Sequence, residues 1–230
     1  MLSLPQRERP ELLDLHAGNL PEVRRSLGDI QRINTYLGGA KPVCNAVWNL
    51  VGERPRATVL DIGTGNADIP RRLARQARKR GVDLTIIGLD INARHLQIAR
   101  EETADFPAIH LIGADAFALP LADQSVDIVF STLFLHHFRA PQIQSLLTEF
   151  TRVARVGWTM HDQIRNRLPL WFFRVARPVL ARSYLTRYDA VASIYRAYTL
   201  DEMRQIVAPF AGAEVQEHFP YRLSASWQRP

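Results

Sequence analysis

The chain has 230 residues, of which 47% are hydrophobic, so it is long enough for one α/β domain with a sizeable core. Its net charge of +6 would favour a nucleic-acid partner, but the excess lies within residues 164–198, where seven arginines accompany one aspartate. No uncharged apolar run approaches the roughly 18 residues of a membrane-spanning helix. The single cysteine, Cys44, excludes an internal disulfide and favours a cytoplasmic location.

The first 55 residues predict helices ahead of the first strand. Residues 1–20 form a loosely ordered lead-in, with room for a short helix over residues 11–16. An amphipathic helix then starts at Pro21, and its apolar residues recur at helical spacing until Gly38 and Gly39 end the pattern. A second amphipathic helix is predicted over residues 42–51, before a turn.

Residues 58–71 organise the rest of the chain, because they predict a buried strand, a glycine turn and a helix start in immediate succession. Gly63 and Gly65 permit positive φ angles and have no Cβ to obstruct a ligand. Asn66 or Asp68 can cap the helix that follows. Such a turn places a nucleotide-like ligand at the carboxyl edge of the strand, where backbone N–H groups point outward.

The spacing of this turn indicates which ligand it binds. A dinucleotide site would have a third glycine at position 68, where the chain has Asp68. Asp61 before the turn indicates the pattern Asp-x-Gly-x-Gly-x-Gly instead. The stretch therefore resembles motif I of class I S-adenosylmethionine-dependent methyltransferases, with Ala67 in place of the third glycine. This alanine narrows the room beside the methionine part of the cofactor.

Further strands are predicted over residues 84–89, 109–112, 126–130 and 158–160, and further helices over 69–80, 93–103, 142–153 and 200–207. Two closing strands, 213–218 and 222–227, are joined so tightly that they must run antiparallel.

The resemblance covers residues 57–227 and implies an α/β fold: a Rossmann-like, doubly wound, seven-stranded sheet that ends in an antiparallel hairpin. It further implies an N-terminal helical cover over residues 1–55, which packs beside the cofactor cleft, and a methyltransferase domain over residues 56–230. A helical lid over residues 164–198 is inserted in that domain.

Asp90 ends the second predicted strand, where an acidic side chain can accept hydrogen bonds from both ribose hydroxyls of a nucleotide. The alternative is that Asp90 caps the helix over residues 93–103. The resemblance also assigns Asp115 and Ala116 to the adenine, the first accepting from its amine and the second donating through its backbone. The full predicted set for S-adenosylmethionine is Asp61, Gly63, Thr64, Gly65, Asp90, Ile91, Asp115, Ala116 and Leu133.

Methyl transfer depends first on orientation of the reacting atoms, so the sequence indicates the cofactor better than the catalyst. A base would help if the acceptor is a phenol, and the candidates near the carboxyl edge are His136, His137, His161 and Asp162. Each can instead cap a helix or fill the edge of the core. No metal site is expected, because the first two histidines are adjacent and no carboxylate cluster has a ligand spacing.

Residues 164–198 mix seven aromatic residues with the arginines. A helical hairpin with an aromatic inner face and a basic outer face would close over an apolar acceptor, and Arg165, Trp171 and Tyr195 are the candidate substrate contacts. The same segment could lie on an anionic membrane surface. As a third alternative, the aromatic residues are core and the arginines only a solvated face.

The leading hypothesis is a methyltransferase that modifies oxygen or carbon of a small apolar or aromatic molecule of the polyketide, quinone or lipid-like kind. The chain resembles ubiquinone and menaquinone methyltransferases, and we expect a monomer or homodimer. An RNA methyltransferase is the runner-up, but residues 131–134 read Ser-Thr-Leu-Phe where an Asn/Asp-Pro-Pro-Tyr motif would grip a base. A non-catalytic cofactor-binding partner subunit is a third hypothesis, and an NAD-dependent oxidoreductase fits least.

Overall fold

The computed structural model describes residues 4–230, so the first three residues of the predicted N-terminal cover lie outside it. Its strands are β1 (Arg56–Ile62), β2 (Asp83–Asp90), β3 (Ile109–Gly113), β4 (Val126–Thr132), β5 (Ala154–Gln163), β6 (Glu214–His218) and β7 (Arg222–Gln228). They form a seven-stranded sheet in the order β3-β2-β1-β4-β5-β7-β6. Strands β1 to β5 are parallel, and β7 is antiparallel to both β5 and β6. The predicted doubly wound sheet with its terminal hairpin is confirmed.

The helices largely follow the predicted pattern. They are α1 (Leu20–Tyr36), α2 (Ala40–Val51), α3 (Asp68–Arg80), α4 (Ala93–Glu102), α5 (Ala140–Val153), α6 (Arg167–Leu180), α7 (Tyr184–Arg196) and α8 (Leu200–Val207), with a 3₁₀ turn at Leu135–His137. A capping box of Asn19 and Glu22 starts α1, and one of Thr199 and Glu202 starts α8. None of these helices is both long enough and apolar enough to traverse a bilayer.

Three local predictions were wrong. Residues 12–16 form turns rather than a short helix, because His16 takes a left-handed φ of 56° and the N–H of Ala17 donates back to the carbonyl oxygen of Leu12, which closes the segment after one turn. The fifth strand has ten residues rather than three. Its polar residues suggested an early end, but β5 lies between two strands and its polar side chains find partners, as in the 2.8 Å contact between Thr159 Oγ1 and Ser226 Oγ.

The third error concerns the start of α3, which neither predicted side chain caps. Ala67 takes the N-cap position in a left-handed conformation, with φ of 57°. The Asn66 amide donates instead to Gln31 Oε1 and Glu102 Oε2, and Asp68 lies in the first helical turn. The turn that begins at Gly63 therefore extends to residue 67. This is the position where the methyltransferase pattern has its third glycine.

Helices cover both faces of the sheet, which explains why its parallel strands are continuous apolar runs. Val59 and Ile128 face α2 and α3, whereas Leu60 and Val129 face α5 and α8. Helix α2 thus belongs to the core of the sheet, and burial raises the pKa of its Cys44 thiol to about 11. Helix α1 lies elsewhere, across the carboxyl ends of the strands.

Two helices, α6 and α7, occupy residues 164–198 as a hairpin. Helix α7 packs against α1 through contacts such as the 2.9 Å hydrogen bond between Ser26 Oγ and Thr186 Oγ1. Asp29 of α1 also accepts from the N–H of Ser183, which begins α7. Helix α6 packs on the outer side of this pair through Leu170. The two helices therefore form successive layers above the strand ends.

Replacing Ala67 by glycine is expected to raise the free energy of unfolding by up to about 1 kcal/mol. A left-handed alanine costs roughly 1–2 kcal/mol, and the greater freedom of an unfolded glycine offsets part of that gain. Urea denaturation measures the change. Ala74→Gly, inside α3, is the matched control and should lower stability by about 1 kcal/mol. Similar losses in both variants would show that residue 67 carries no backbone strain.

Candidate active site

A cavity of about 560 Å³ lies at the carboxyl ends of β1, β2 and β4. Its floor is the β1–α3 turn together with the ends of the neighbouring strands, and its roof comes from α1, α7 and residues 11–16. Its floor residues include Asp61, Gly63, Thr64, Gly65, Asp68, Asp90, Ile91 and Leu133, and its roof residues include Glu11, Asp14, Leu27, Ile30, Ile33, Thr186, Asp189 and Ser193.

The β1–α3 turn forms the tightest part of the floor. Gly63 has a φ of +71°, and a Cβ at this position would lie 2.7 Å from Cδ2 of Phe134. The N–H groups of Gly63 and Thr64 both donate to the carbonyl oxygen of Leu89 at 2.9 Å. The turn is therefore tied to β2, and glycine at position 63 is required by both backbone conformation and space.

Three carboxylates gather around this turn. Asp61 is fully buried, and burial raises its pKa well above the usual value. The 2.8 Å hydrogen bond donated by Thr64 Oγ1 lowers this pKa but does not outweigh burial. Asp68 and Asp90 add like charge beside it. Burial also raises the pKa of Asp68. This end of the cavity is therefore electrostatically suited to a cationic ligand.

Asp90 fixes the turn from the neighbouring strand. Its Oδ2 accepts from the N–H of Gly65 at 3.0 Å, and its Oδ1 accepts from the N–H of Asn92 at 2.8 Å. Asn92 is the N-cap of α4, so the alternative that Asp90 caps this helix was wrong. His95 Nδ1 also lies 3.3 Å from Oδ2, whereas Oδ1 has no further partner among the described residues and can accept from a ligand in the cavity. Ile91 beside it is 75% exposed at the rim.

Several buried polar atoms of the cavity have no protein partner. Among the described residues, five buried side-chain atoms lack one, and three of the five belong to cavity residues. These are Asn34 Oδ1, Asp68 Oδ2 and Thr132 Oγ1. Because an unsatisfied buried polar group is costly, this pattern fits a cavity that holds a polar ligand.

The remaining predicted cofactor residues divide into two groups. Thr64, Ile91 and Leu133 line the cavity, and Leu133 does so with a left-handed φ of 55°. Asp115 and Ala116 follow β3 and are not among the lining residues. The Asp115 Oδ1 accepts from the N–H of Phe117, as in a tight turn. Their contact with adenine stays a prediction.

His136 lies between two carboxylates beneath the roof. Its Nδ1 is 2.8 Å from Asp162 Oδ1, and its Nε2 is 3.2 Å from Glu11 Oε1. Burial alone would lower the pKa of His136, but the two carboxylates outweigh that effect and raise it to about 10. His136 is therefore an imidazolium at neutral pH, and it cannot accept a proton there.

His137 also lines the cavity but has a different environment. Its Nδ1 lies 3.0 Å from Asp14 Oδ2, and the guanidinium of Arg196 lies 2.9 Å from the same oxygen. Burial opposes ionisation of Asp14, but His137 and Arg196 lower its pKa to about 2. Because the ionised Asp14 carboxylate contacts Nδ1 of His137, Nε2 is the ring nitrogen that remains available to a molecule in the cavity.

His161 lies apart from the cavity, although the sequence grouped it with the other candidates. Successive side chains of a strand point to opposite faces, so His161 and Asp162 diverge. Burial lowers the pKa of His161 to about 3, helped by His218 and Arg222. Its Nε2 lies 3.0 Å from Thr159 Oγ1, and its ring stacks on His218 at 5.7 Å. The chain thus places a neutral histidine inside the terminal sheet.

The three predicted substrate contacts all have other surroundings and do not line the cavity. Arg165 donates to the carbonyl oxygens of Leu4 and Ala197 and pairs with Glu202. Trp171 is 66% exposed on α6. The guanidinium of Arg7 lies over the Tyr195 ring. Their role as substrate contacts stays a prediction that this geometry does not support.

Glu11 and Asp14 were missed because they lie in a segment that the sequence presents as a loose lead-in. Ser193 of α7 donates to Glu11 Oε1 at 2.7 Å, so three distant segments meet at this carboxylate. Glu11 also joins His136 and His137 in offering ligand atoms within 4.8 Å of one another. Glu11 and His136 already contact each other at 3.2 Å, and the lack of a resident metal stays a prediction.

Comparisons with known proteins agree with this geometry. A family model described as a methyltransferase domain matches residues 59–157. The ubiquinone/menaquinone biosynthesis C-methyltransferase of Rickettsia prowazekii is 33% identical over 102 residues, which are 43% of this chain and 40% of that protein. The chain therefore matches less than half the length of this relative.

Solved structures show the same fold at lower identity. A methyltransferase from Aquifex aeolicus that depends on S-adenosylmethionine has a TM-score of 0.62 and 18% identity, over 92% of this chain and 99% of that one. Magnesium protoporphyrin IX methyltransferase from Synechocystis, with bound S-adenosylhomocysteine, has a TM-score of 0.57 and 16% identity, over 84% of each chain. Residues 59–157 therefore match a methyltransferase domain, and the whole chain has the fold of solved methyltransferases that depend on S-adenosylmethionine.

Proposed function

We propose that the chain binds S-adenosylmethionine at the β1–α3 turn and transfers its methyl group to oxygen or carbon of a small, apolar or aromatic acceptor. The observation that carries this proposal is the continuity of the cavity. One cavity joins Asp90 and the glycine turn to His137 and Phe138, and Phe134 contacts both the turn and Phe138. A donor and an acceptor held in it would therefore meet without crossing solvent.

The cofactor end suits S-adenosylmethionine in three respects. Asp90 offers an acceptor for ribose hydroxyls, and the lack of a side chain at Gly65, where an added Cβ would meet only Leu27 Cδ2 among the described atoms, at 3.6 Å, lets a ligand approach the turn closely. The group of carboxylates around Asp61 favours a ligand that carries positive charge. When bound, S-adenosylmethionine supplies a methyl group on a positively charged sulfur.

The acceptor end is apolar with a few polar groups. The rings of Phe134 and Phe138 lie 4.9 Å apart between centroids, and Ile33 and Leu13 approach from the roof. Such walls favour a flat ring over a charged polymer. The relative from Rickettsia is named for ubiquinone and menaquinone, and the Synechocystis enzyme for a porphyrin, which supports a ring-shaped acceptor for this chain as well.

We assign the base to His137 rather than His136. The Asp14 carboxylate holds Nδ1 of His137, so Nε2 can take the proton of an acceptor hydroxyl as the new bond forms. Removal of that proton raises electron density on the oxygen and on the adjacent ring carbons. His136 is already protonated, and its role is to hold Glu11 and Asp162 in place at the cavity wall.

The proposal includes a cytoplasmic location with peripheral contact to a membrane through residues 164–198.

Calorimetry with S-adenosylmethionine tests cofactor binding, and mass spectrometry of products from a panel of phenols and reduced 1,4-naphthoquinones tests transfer. Cofactor binding without product from any acceptor would favour a non-catalytic partner subunit. RNA binding that weakens steeply with added salt would revive the RNA methyltransferase alternative.

Asp90→Ala is expected to weaken binding of S-adenosylhomocysteine by about 1–3 kcal/mol, because charge-assisted hydrogen bonds to the ribose and to the turn are lost. Isothermal titration calorimetry measures this change. Asp83→Ala is the control, since Asp83 is an exposed acid at the opposite end of the same strand. Equal affinity of the two variants would move the ribose site away from Asp90.

Gly63→Ala is expected to abolish measurable cofactor binding, since its Cβ would lie 2.7 Å from Phe134 Cδ2 at the floor of the cavity. The matched control is Gly81→Ala. Gly81 has a similar φ of +69°, but an added Cβ there meets no atom within 4 Å. The control should therefore lose stability and keep its affinity for S-adenosylhomocysteine. Normal binding by the Gly63 variant would contradict the assigned site.

His137→Ala is expected to lower turnover by about 100-fold, the lower range for loss of a general base, while cofactor affinity stays unchanged. His161→Ala should retain turnover, because His161 is neutral and lies outside the cavity. Turnover is measured with whichever member of the acceptor panel gives product. Full activity in the first variant would show that orientation alone is sufficient for catalysis.

A further inference from the structure

The outer face of α6 exposes large apolar side chains to solvent. Leu168, Trp171, Phe172 and Val175 are 43%, 66%, 44% and 62% exposed. Their spacing of i, i+3, i+4 and i+7 places them on one side of the helix. A helix on the surface of a globular protein has polar residues on that side, so this apolar face needs an explanation.

The other side of α6 accounts for its attachment to the protein. Leu170 and Phe173 are each only 5% exposed and pack with Ala181 and Ile194 of the hairpin. The outer apolar residues are therefore not needed to hold α6 in place. In the described part of the chain, that outer face has no protein layer above it.

The exposed charges of residues 164–198 are all positive. Of the seven arginines in residues 164–198, Arg165 and Arg196 are engaged in internal contacts. The other five are exposed: Arg167, Arg174, Arg177, Arg182 and Arg187. The one acid of this segment, Asp189, is buried and accepts from backbone N–H groups. The exposed surface of the hairpin therefore combines apolar side chains with uncompensated guanidinium groups.

We propose that the outer face of α6 docks on a bilayer surface that contains anionic lipid. Trp171, Phe172, Leu168 and Val175 enter the headgroup region, and the surrounding arginines contact lipid phosphates. A protein partner would need an apolar patch ringed by acids, whereas an anionic bilayer offers both features everywhere on its surface. The charge pattern therefore favours lipid as the occupant.

Docking would also place the cavity near the membrane. Helix α7 lies between α6 and the cavity, and its Thr186, Asp189, Ala190 and Ser193 line the roof. A docked α6 thus brings that roof within two helix layers of the lipid, from which an apolar acceptor can be drawn. This consequence rests on the proposed methyl transfer to an apolar acceptor, whereas the docking specifies the membrane contact of residues 164–198 and can be tested without an acceptor.

The chain offers an internal reporter for the test. Trp171 is 66% exposed, whereas Trp48, Trp158 and Trp227 are 5%, 0% and 8% exposed. The full chain is mixed with vesicles of phosphatidylcholine, alone or with one quarter phosphatidylglycerol. We expect co-sedimentation and a blue shift of tryptophan emission with the anionic vesicles, quenching by brominated lipid, and loss of binding in high salt.

Two pairs of variants identify the face. The double variant Trp171→Ser, Phe172→Ser should lower the fraction bound by about tenfold. Its control, Phe219→Ser, removes an aromatic residue that is 92% exposed elsewhere and should leave binding unchanged.

The double variant Arg167→Glu, Arg174→Glu should abolish the preference for anionic lipid. The control for charge is Arg78→Glu with Lys79→Glu, on the exposed side of α3, which should retain it.

Calorimetry with S-adenosylhomocysteine checks that each variant is folded and keeps docking separate from catalysis. Loss of vesicle binding with normal cofactor affinity supports the proposal. No binding to anionic vesicles overturns it, as does equal binding by the Trp171 and Phe219 variants. Formation of a dimer that buries Trp171 in the absence of lipid, seen by light scattering and quencher access, also overturns it and assigns the face to a second copy of the chain.

Discussion

The hydrogen bonds between Asp90 and the β1–α3 turn are the interaction on which the rest of the site depends. Asp90 and the carbonyl of Leu89 together accept from three consecutive N–H groups, those of Gly63, Thr64 and Gly65. These bonds fasten a turn of β1 to the end of β2, and they fix the direction in which α3 leaves the sheet. Without them the floor of the cavity would have no defined shape.

A second constraint closes the cavity from above. The imidazolium of His136 lies between Asp162 of the sheet and Glu11 of the N-terminal segment. A buried ion network of this kind contributes less to stability than its geometry suggests, because three groups must be desolvated. Its effect here is on position, since removal of His136 would leave two buried carboxylates without compensation. The lead-in is thereby held over the strand ends as part of the active site.

The roof and the proposed membrane face belong to one layered structure. Helix α7 uses its inner side for the cavity, and α6 packs upon its outer side through Phe173. The aromatic residues of this segment consequently have two separate roles. Phe173 stabilises the hairpin, whereas Trp171 and Phe172 remain exposed on the far side, where they cannot contact an acceptor in the cavity.

The sheet, its terminal hairpin and the cofactor end could be predicted from sequence because each depends on neighbouring residues. The strand before Gly63, the turn itself and the acid at the end of β2 are local patterns with a strong physical meaning. The length of β5 was not predictable, since its polar residues are satisfied by β7, a strand more than 50 residues later. Local propensity carries no information about such partners.

The sequence by itself thus determined the fold class and the glycine turn at which we propose that the cofactor binds. Only the tertiary structure decided that His136 is charged, because its pKa is raised by Asp162 and Glu11, which lie 26 and 125 positions away in the chain. It also decided which side of α6 is buried. Both sides of that helix are apolar, so periodicity could not distinguish the side that packs on α7 from the side that faces outward.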